Sequence, residues 1–122
     1  MLWKREVKVS DMRNLTSKYH AKKAVYNGIK FDSKKEMNYF IKLKALESNK
    51  TIWNLELQKK YELQPKYKIN NRTVRSIYYT ADFVYEDSDG IHVVDVKGYK
   101  TDVYKLKKKL FEYKYNIEIE EI

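Results

Sequence analysis

Asp95 and Lys97 stand two residues apart in Ile91-His92-Val93-Val94-Asp95-Val96-Lys97-Gly98, a run whose β-branched residues predict a strand. Side chains two apart on a strand share a face, about 7 Å from each other. The carboxylate and the ammonium therefore look out together, while Val94 and Val96 occupy the other face. Such a pair can hold a divalent cation and position a water beside it. With one acid on a neighbouring strand and another on a helix, the chemistry would be phosphodiester cleavage.

Asp82 is the acid on the neighbouring strand, within Ser76 to Tyr85. Closing a hairpin with Glu86 opposite Ile91 leaves the loop Asp87 to Gly90 and puts Asp82 opposite Asp95. Directly opposed residues of an antiparallel pair have Cβ atoms about 4.5–5.5 Å apart. Carboxylates that close repel unless a cation or a proton lies between them. A slip of one residue would send them to opposite faces. Asp82 also reads as an exposed acid of an edge strand, and Asp-x-Lys alone as a solvated charge pair.

Glu36 supplies the helix acid. On a helical wheel it falls between Phe40 and Leu43, where an acid is costly unless paired or bound to a cation. It is equally the N3 residue of the capping box Ser33-Lys34-Lys35-Glu36. Gln58 and Gln64 are candidate positioning groups. Lys18, His20, Lys22 and Lys23, and then Lys100, Thr101 and Lys105, are candidates for contacting nucleic-acid phosphates; a helix beginning at Thr101 could receive a phosphate oxygen at its N-terminus. Each also reads as an ordinary surface group.

The elements that must position these residues are legible in outline. Residues 1–17 read as an N-terminal arm and 18–122 as the domain. A short hairpin turns at Asn27-Gly28. Helical spacing of Met37, Phe40 and Ile41, widened by Tyr39, Leu43 and Leu46, predicts a helix from Ser33 to about Ser48. Trp53 to Tyr61 and Gln64 to Ile69 read as extended segments parted near Pro65. The two central strands follow. Thr101 caps a second helix to about Tyr115, with Val103, Leu106, Leu110 and Tyr113 on its apolar side. Ile117, Ile119 and Ile122 suggest a last strand. The order helix, three strands, helix, strand predicts an α/β layer with one mixed sheet.

Composition narrows the chemistry. The 122 residues suit one core, and 12 of them are Tyr, whose rings suit the rim of a core. With no Cys and only His20 and His92 as imidazoles, disulfides, thiolate sites and His-rich zinc are excluded, leaving hard cations on oxygen ligands. No apolar run predicts a signal peptide or a membrane span, and a cytoplasmic location is expected. The formal charge of +9, from 26 Lys+Arg against 17 Asp+Glu, points to a polyanion partner or to a merely Lys-rich composition.

Glu36 on a helix, Asp82 in Thr-Ala-Asp-Phe, and Asp95-Val-Lys97 resemble the PD-(D/E)XK nuclease superfamily in order and spacing. Gly28-Ile-Lys-Phe-Asp-Ser-Lys-Lys-Glu36, Tyr61-Glu-Leu-Gln-Pro65, Ala81-Asp-Phe83, Asp95-Val-Lys-Gly98 and the stretch from Thr101 to Lys108 look like a small phage-encoded family of unknown function. That family is often grouped with Holliday-junction-resolvase-like endonucleases. The resemblance implies a restriction-endonuclease-like αβββαβ core, its mixed sheet flanked by helices, and Mg²⁺-dependent DNA hydrolysis, with Mn²⁺ substituting. It assigns metal binding to Asp82 and Asp95, the helix acid to Glu36 and the catalytic lysine to Lys97; the Val96 carbonyl and waters are then expected to complete the coordination of the ion. Ala81 replaces the superfamily's Pro, and Val94 stands where related sequences often carry an acid, which bears on a second metal. Junction resolution calls for two sites, hence a homodimer, in the host cytoplasm. The rival expectation is a non-catalytic DNA-binding module on the same fold.

Overall fold

The computed structural model describes residues 23–122; the expected arm at 1–17 and the candidates Lys18, His20 and Lys22 lie outside the described residues. The chain divides into two compact units, one ending at Ile52 and the other spanning Trp53 to Ile122.

The first unit opens with the hairpin β1 (Ala24–Tyr26) and β2 (Ile29–Phe31). Asn27 and Gly28 both have positive φ, 51° and 78°, as a two-residue primed turn requires. Helix α1 (Lys34–Ser48) follows, with Ser33 as N-cap and Asn49 as C-cap, as the periodicity predicts. It packs on both hairpin strands. Phe40 lies 5.2 Å, centroid to centroid, from Phe31 and buries the helix's apolar face with Leu43.

The second unit is a mixed four-stranded sheet in the order β3-β6-β7-β8, covered by helix α2 (Asp102–Tyr115). Strand β3 (Trp53–Gln64) runs unbroken to Pro65, rather than stopping at Tyr61. Beyond it an unforeseen small hairpin, β4 (Tyr67–Ile69) and β5 (Arg72–Val74), forms a two-stranded sheet of its own. Strand β6 (Ile77–Asp87) then pairs antiparallel with β3 and with β7 (Gly90–Asp95). Glu86 does face Ile91, but Asp87 also pairs with Gly90, so the turn shrinks to Ser88 and Asp89. After α2 the chain returns parallel to β7 as β8 (Ile119–Glu121), setting Glu121 beside Asp95. With the two small hairpins set aside, the order is helix, three strands, helix, strand.

Helix α2 turns its aromatic side to the sheet, contrary to the expected apolar side. Tyr104 and Phe111 are buried, whereas Val103, Leu106, Leu110 and Tyr113 are exposed, Tyr113 at 90%. The sheet decides this: Tyr61 and Tyr79 present rings 4.9 and 5.1 Å from Phe111, and edge and tilted aromatic contacts fill that gap. His92, stacked on Tyr85, ties β7 to its neighbours through Asp87 at 2.9 Å and Glu120 at 2.5 Å.

Candidate active site

A local irregularity of the sheet aims the first acid. The β3–β6 ladder pairs Leu57 with Phe83 and Lys59 with Ala81, and skips Gln58 and Asp82 between them. Gln58 has φ 53°, a left-handed conformation that is uncommon for a residue with a side chain. Tyr79 and Ala81 on one side of this point, and Val84 on the other, reach the same core cluster, so the strict alternation of faces slips here. Gln58 Nε2 donates to Asp82 Oδ1 at 3.0 Å. Asp82 Oδ2 accepts the Val96 backbone N–H, also at 3.0 Å.

The expected pairing of Asp82 with Asp95 in the ladder is replaced by this side-chain bond. Regular pairing of β6 with β7 ends at Phe83 opposite Val94, while the chain stays bonded to β8 beyond that point, the Ile122 N–H donating to the Asp95 carbonyl and the Lys97 N–H to the Ile122 carbonyl. The Asp82 carboxylate takes over the Val96 N–H that the ladder abandons.

Asp95 is 1% exposed. Its Oδ2 accepts a hydrogen bond from the Tyr79 hydroxyl, and its Oδ1 lies 3.8 Å from Lys97 Nζ. Burial pushes the Asp95 carboxyl well above the usual carboxylate range, and the neighbouring Asp82 carboxylate pushes it further. Tyr79 and Lys97 pull the other way and do not win. Burial, and then the charge of Asp95, raise the Tyr79 phenol, which therefore remains a donor.

Lys97 is held from behind. Its ammonium sits 4.2 Å from the centroid of the Tyr104 ring, on the first turn of α2. The Tyr104 hydroxyl donates to Glu121 Oε2 at 2.7 Å. Glu121 Oε1 meets Lys100 at 3.0 Å and Lys108 at 3.3 Å. The Tyr104 hydrogen bond and these two ammonium groups hold the Glu121 carboxyl down at about 2.

Asp82, Asp95 and Lys97 thus converge, as the spacing predicts. Of the two candidate glutamines Gln58 joins them, while Gln64 ends β3 opposite Ile77. Glu36 belongs to the first unit, 2% exposed and bound as a cap: its N–H donates to Ser33 Oγ, and its Oε1 accepts from the Asp32 N–H, each at 3.0 Å. The reach back goes one residue beyond the cap's own N–H. A role for Glu36 in chemistry is carried by the resemblance alone. Among the phosphate candidates Lys23 is half-buried, Lys100 is engaged with Glu121, and Lys105 is exposed. Thr101 Oγ1 caps α2 by accepting from the Tyr104 N–H at 3.1 Å. Tyr79, Tyr104 and Glu121 escaped the sequence reading. Glu121 meets the site only through the parallel return of β8, which no local pattern announces.

Among the described residues no group of three or more His, Cys, Asp or Glu is arranged to hold a metal. The set that is present, two carboxylates and no imidazole or thiol, still suits Mg²⁺, which keeps several waters and is commonly bound through one or two carboxylates. A cation there would also relieve the unfavourable ionisation of Asp95. The residues fit the ion.

No helix among the described residues is long and apolar enough to cross a membrane. Neither curated proteins nor solved structures match the chain. A family model does, over residues 16–120, and its description is a protein of unknown function. With nearly the whole chain matched, the protein belongs to the DUF1064 family.

Proposed function

We propose that this protein is a metal-dependent DNA endonuclease whose reaction centre is Asp82, Asp95 and Lys97, on a restriction-endonuclease-like core. One observation carries the reading. A carboxyl 1% exposed, beside a second carboxylate and an ammonium, is an arrangement that folding alone penalises. Perturbed acids of this kind concentrate where chemistry is done.

Asp82 and Asp95 would hold Mg²⁺, with the Val96 carbonyl as a further oxygen donor. When bound, the ion supplies Lewis-acid polarisation of a phosphate oxygen and neutralises developing charge. The residues of the chain do the positioning. Gln58 and the Val96 N–H fix both oxygens of Asp82. Tyr79 fixes Asp95 Oδ2 and leaves Oδ1 toward Lys97. Lys97 would align the attacking water, which forms the new phosphorus–oxygen bond and loses its proton to solvent as the bond to the leaving strand breaks and that oxygen takes up a proton from solvent. The Tyr104 ring keeps that ammonium from swinging into solvent.

Labelled duplex and four-way-junction DNA, incubated with Mg²⁺, Mn²⁺ or EDTA, test the reading. Cleavage is expected with either metal and not with EDTA. Strand scission that survives EDTA, or that persists unchanged in Asp95→Ala, would reject it. Light scattering on the same samples shows whether a dimer, as junction resolution needs, is present.

A further inference from the structure

The hairpin β4–β5 is absorbed by neither the core nor the site. Among the described residues it packs substantially against no other strand or helix, and residues 65–73 are exposed throughout. From Leu63 to Ala81 the chain carries no acid, while Lys66, Lys68, Arg72 and Arg75 lie in or beside the hairpin. Among the described residues none of these four cations makes an ion pair or a side-chain hydrogen bond.

Geometry separates this ribbon from an ordinary surface loop. Tyr67 pairs with Val74, Lys68 with Thr73 and Ile69 with Arg72. Lys68 therefore leaves one face, Arg72 the other, and Lys66 and Arg75 flank the base. Asn70 and Asn71 make the turn with φ 48° and 60°, the primed geometry that asparagine tolerates. Their carboxamides stand at the tip, beside Ile69, which is 46% exposed.

We infer that β4–β5 is a nucleic-acid-reading ribbon that enters the major groove of duplex DNA. Two strands about 4.8 Å apart, with side chains, match a groove about 12 Å wide and exceed a minor groove of about 6 Å. Three residues per strand reach about 10 Å, comparable with a groove depth of about 8.5 Å. The cations on both faces then meet the phosphates of both walls, and the tip carboxamides meet base edges, where asparagine pairs with adenine. The choice of DNA as partner rests on the nuclease reading; the ribbon's dimensions and charge do not.

The experiment is equilibrium binding of the full chain, in EDTA, to a fluorescent duplex of about two helical turns and to the same sequence single-stranded. Two variants are compared with the wild type. One combines Lys66→Ala, Lys68→Ala, Arg72→Ala and Arg75→Ala; the other replaces residues 67–74 by a short Gly-Ser linker. Circular dichroism should show both folded, because among the described residues the hairpin packs substantially against no other element. Both should bind duplex at least about tenfold more weakly at about 100 mM salt. The slope of log affinity against log salt should fall by about 0.9 for each phosphate that the variant no longer neutralises. Affinity for the single strand should drop less. Unchanged duplex affinity in the two variants, or equal weakening on duplex and single strand, would overturn the proposal; the cations would then only guard a free sheet edge. Adding Mg²⁺ to the wild-type mixtures distinguishes the two readings: binding without scission would sink the nuclease and leave the ribbon standing.

Discussion

Replacing Asp95 by Asn should stabilise the metal-free protein while abolishing its chemistry. The Asp95 carboxyl is 1% exposed and raised by burial and then by Asp82, so the native state holds its proton at pH values where the unfolded chain, near 3.9, has released it. The stability contributed by the protonated form is complete below the unfolded value. It is lost as pH rises through the native one. One group changes stability by at most about 1.4 kcal/mol per pH unit, so between the unfolded value and a native one pushed up to about 7 the loss amounts to about 4 kcal/mol. Asparagine carries no charge, its carbonyl can accept from Tyr79, and its amide can donate to Asp82. Weaker attraction to Lys97, 3.8 Å away, offsets a part. The assay is urea unfolding by circular dichroism in EDTA, from about pH 4.5 to about pH 8.5. The variant should match the wild type within about 0.5 kcal/mol at the acid end and exceed it by about 2–3 kcal/mol at the alkaline end. A pH-independent gap, or a wild type more stable in alkali, would refute the argument.

Tyr104→Phe keeps the ring under Lys97 and should retain most cleavage, whereas Tyr104→Leu should be about 2- to 30-fold slower, since a cation–π contact is worth about 0.5–2 kcal/mol; single-turnover rates compare them. At Gln58, where φ is 53°, glycine should be better tolerated than alanine by about 1 kcal/mol in denaturant unfolding, because alanine pays the left-handed strain. On α2, Phe111→Ala should cost about 3–5 kcal/mol, while Tyr113→Ser, at a position 90% exposed, should stay within about 0.5 kcal/mol.

What could be foreseen from the residues divides along physical lines. Helix α1 was legible because a cap, Ser33, and an apolar repeat through Phe40 and Leu43 agree. The central hairpin was legible because β-branched alternation and a Gly90 turn leave few registers. Asp82 and Asp95 therefore came together even though their bonding differs from a plain ladder pair. Helix α2 misled: its most apolar residues by type, Val103, Leu106 and Leu110, face outward, since Tyr104 and Phe111 complement a sheet built from tyrosines. The slip at Gln58 depends on a backbone conformation that glutamine does not advertise. Glu121 depends on a crossover. The ribbon was hidden because Lys66 to Arg75 alternates too briefly to be told from a loop.

The central claim is tested most directly on supercoiled plasmid DNA with Mg²⁺, following conversion to open circle by gel. Wild-type protein should nick the plasmid, EDTA should stop it, and Lys97→Ala, which removes the ammonium beside Asp95, should be at least about a hundredfold slower. Wild-type protein that binds the plasmid but leaves it intact with both Mg²⁺ and Mn²⁺, or a Lys97→Ala variant as fast as the wild type, would contradict it.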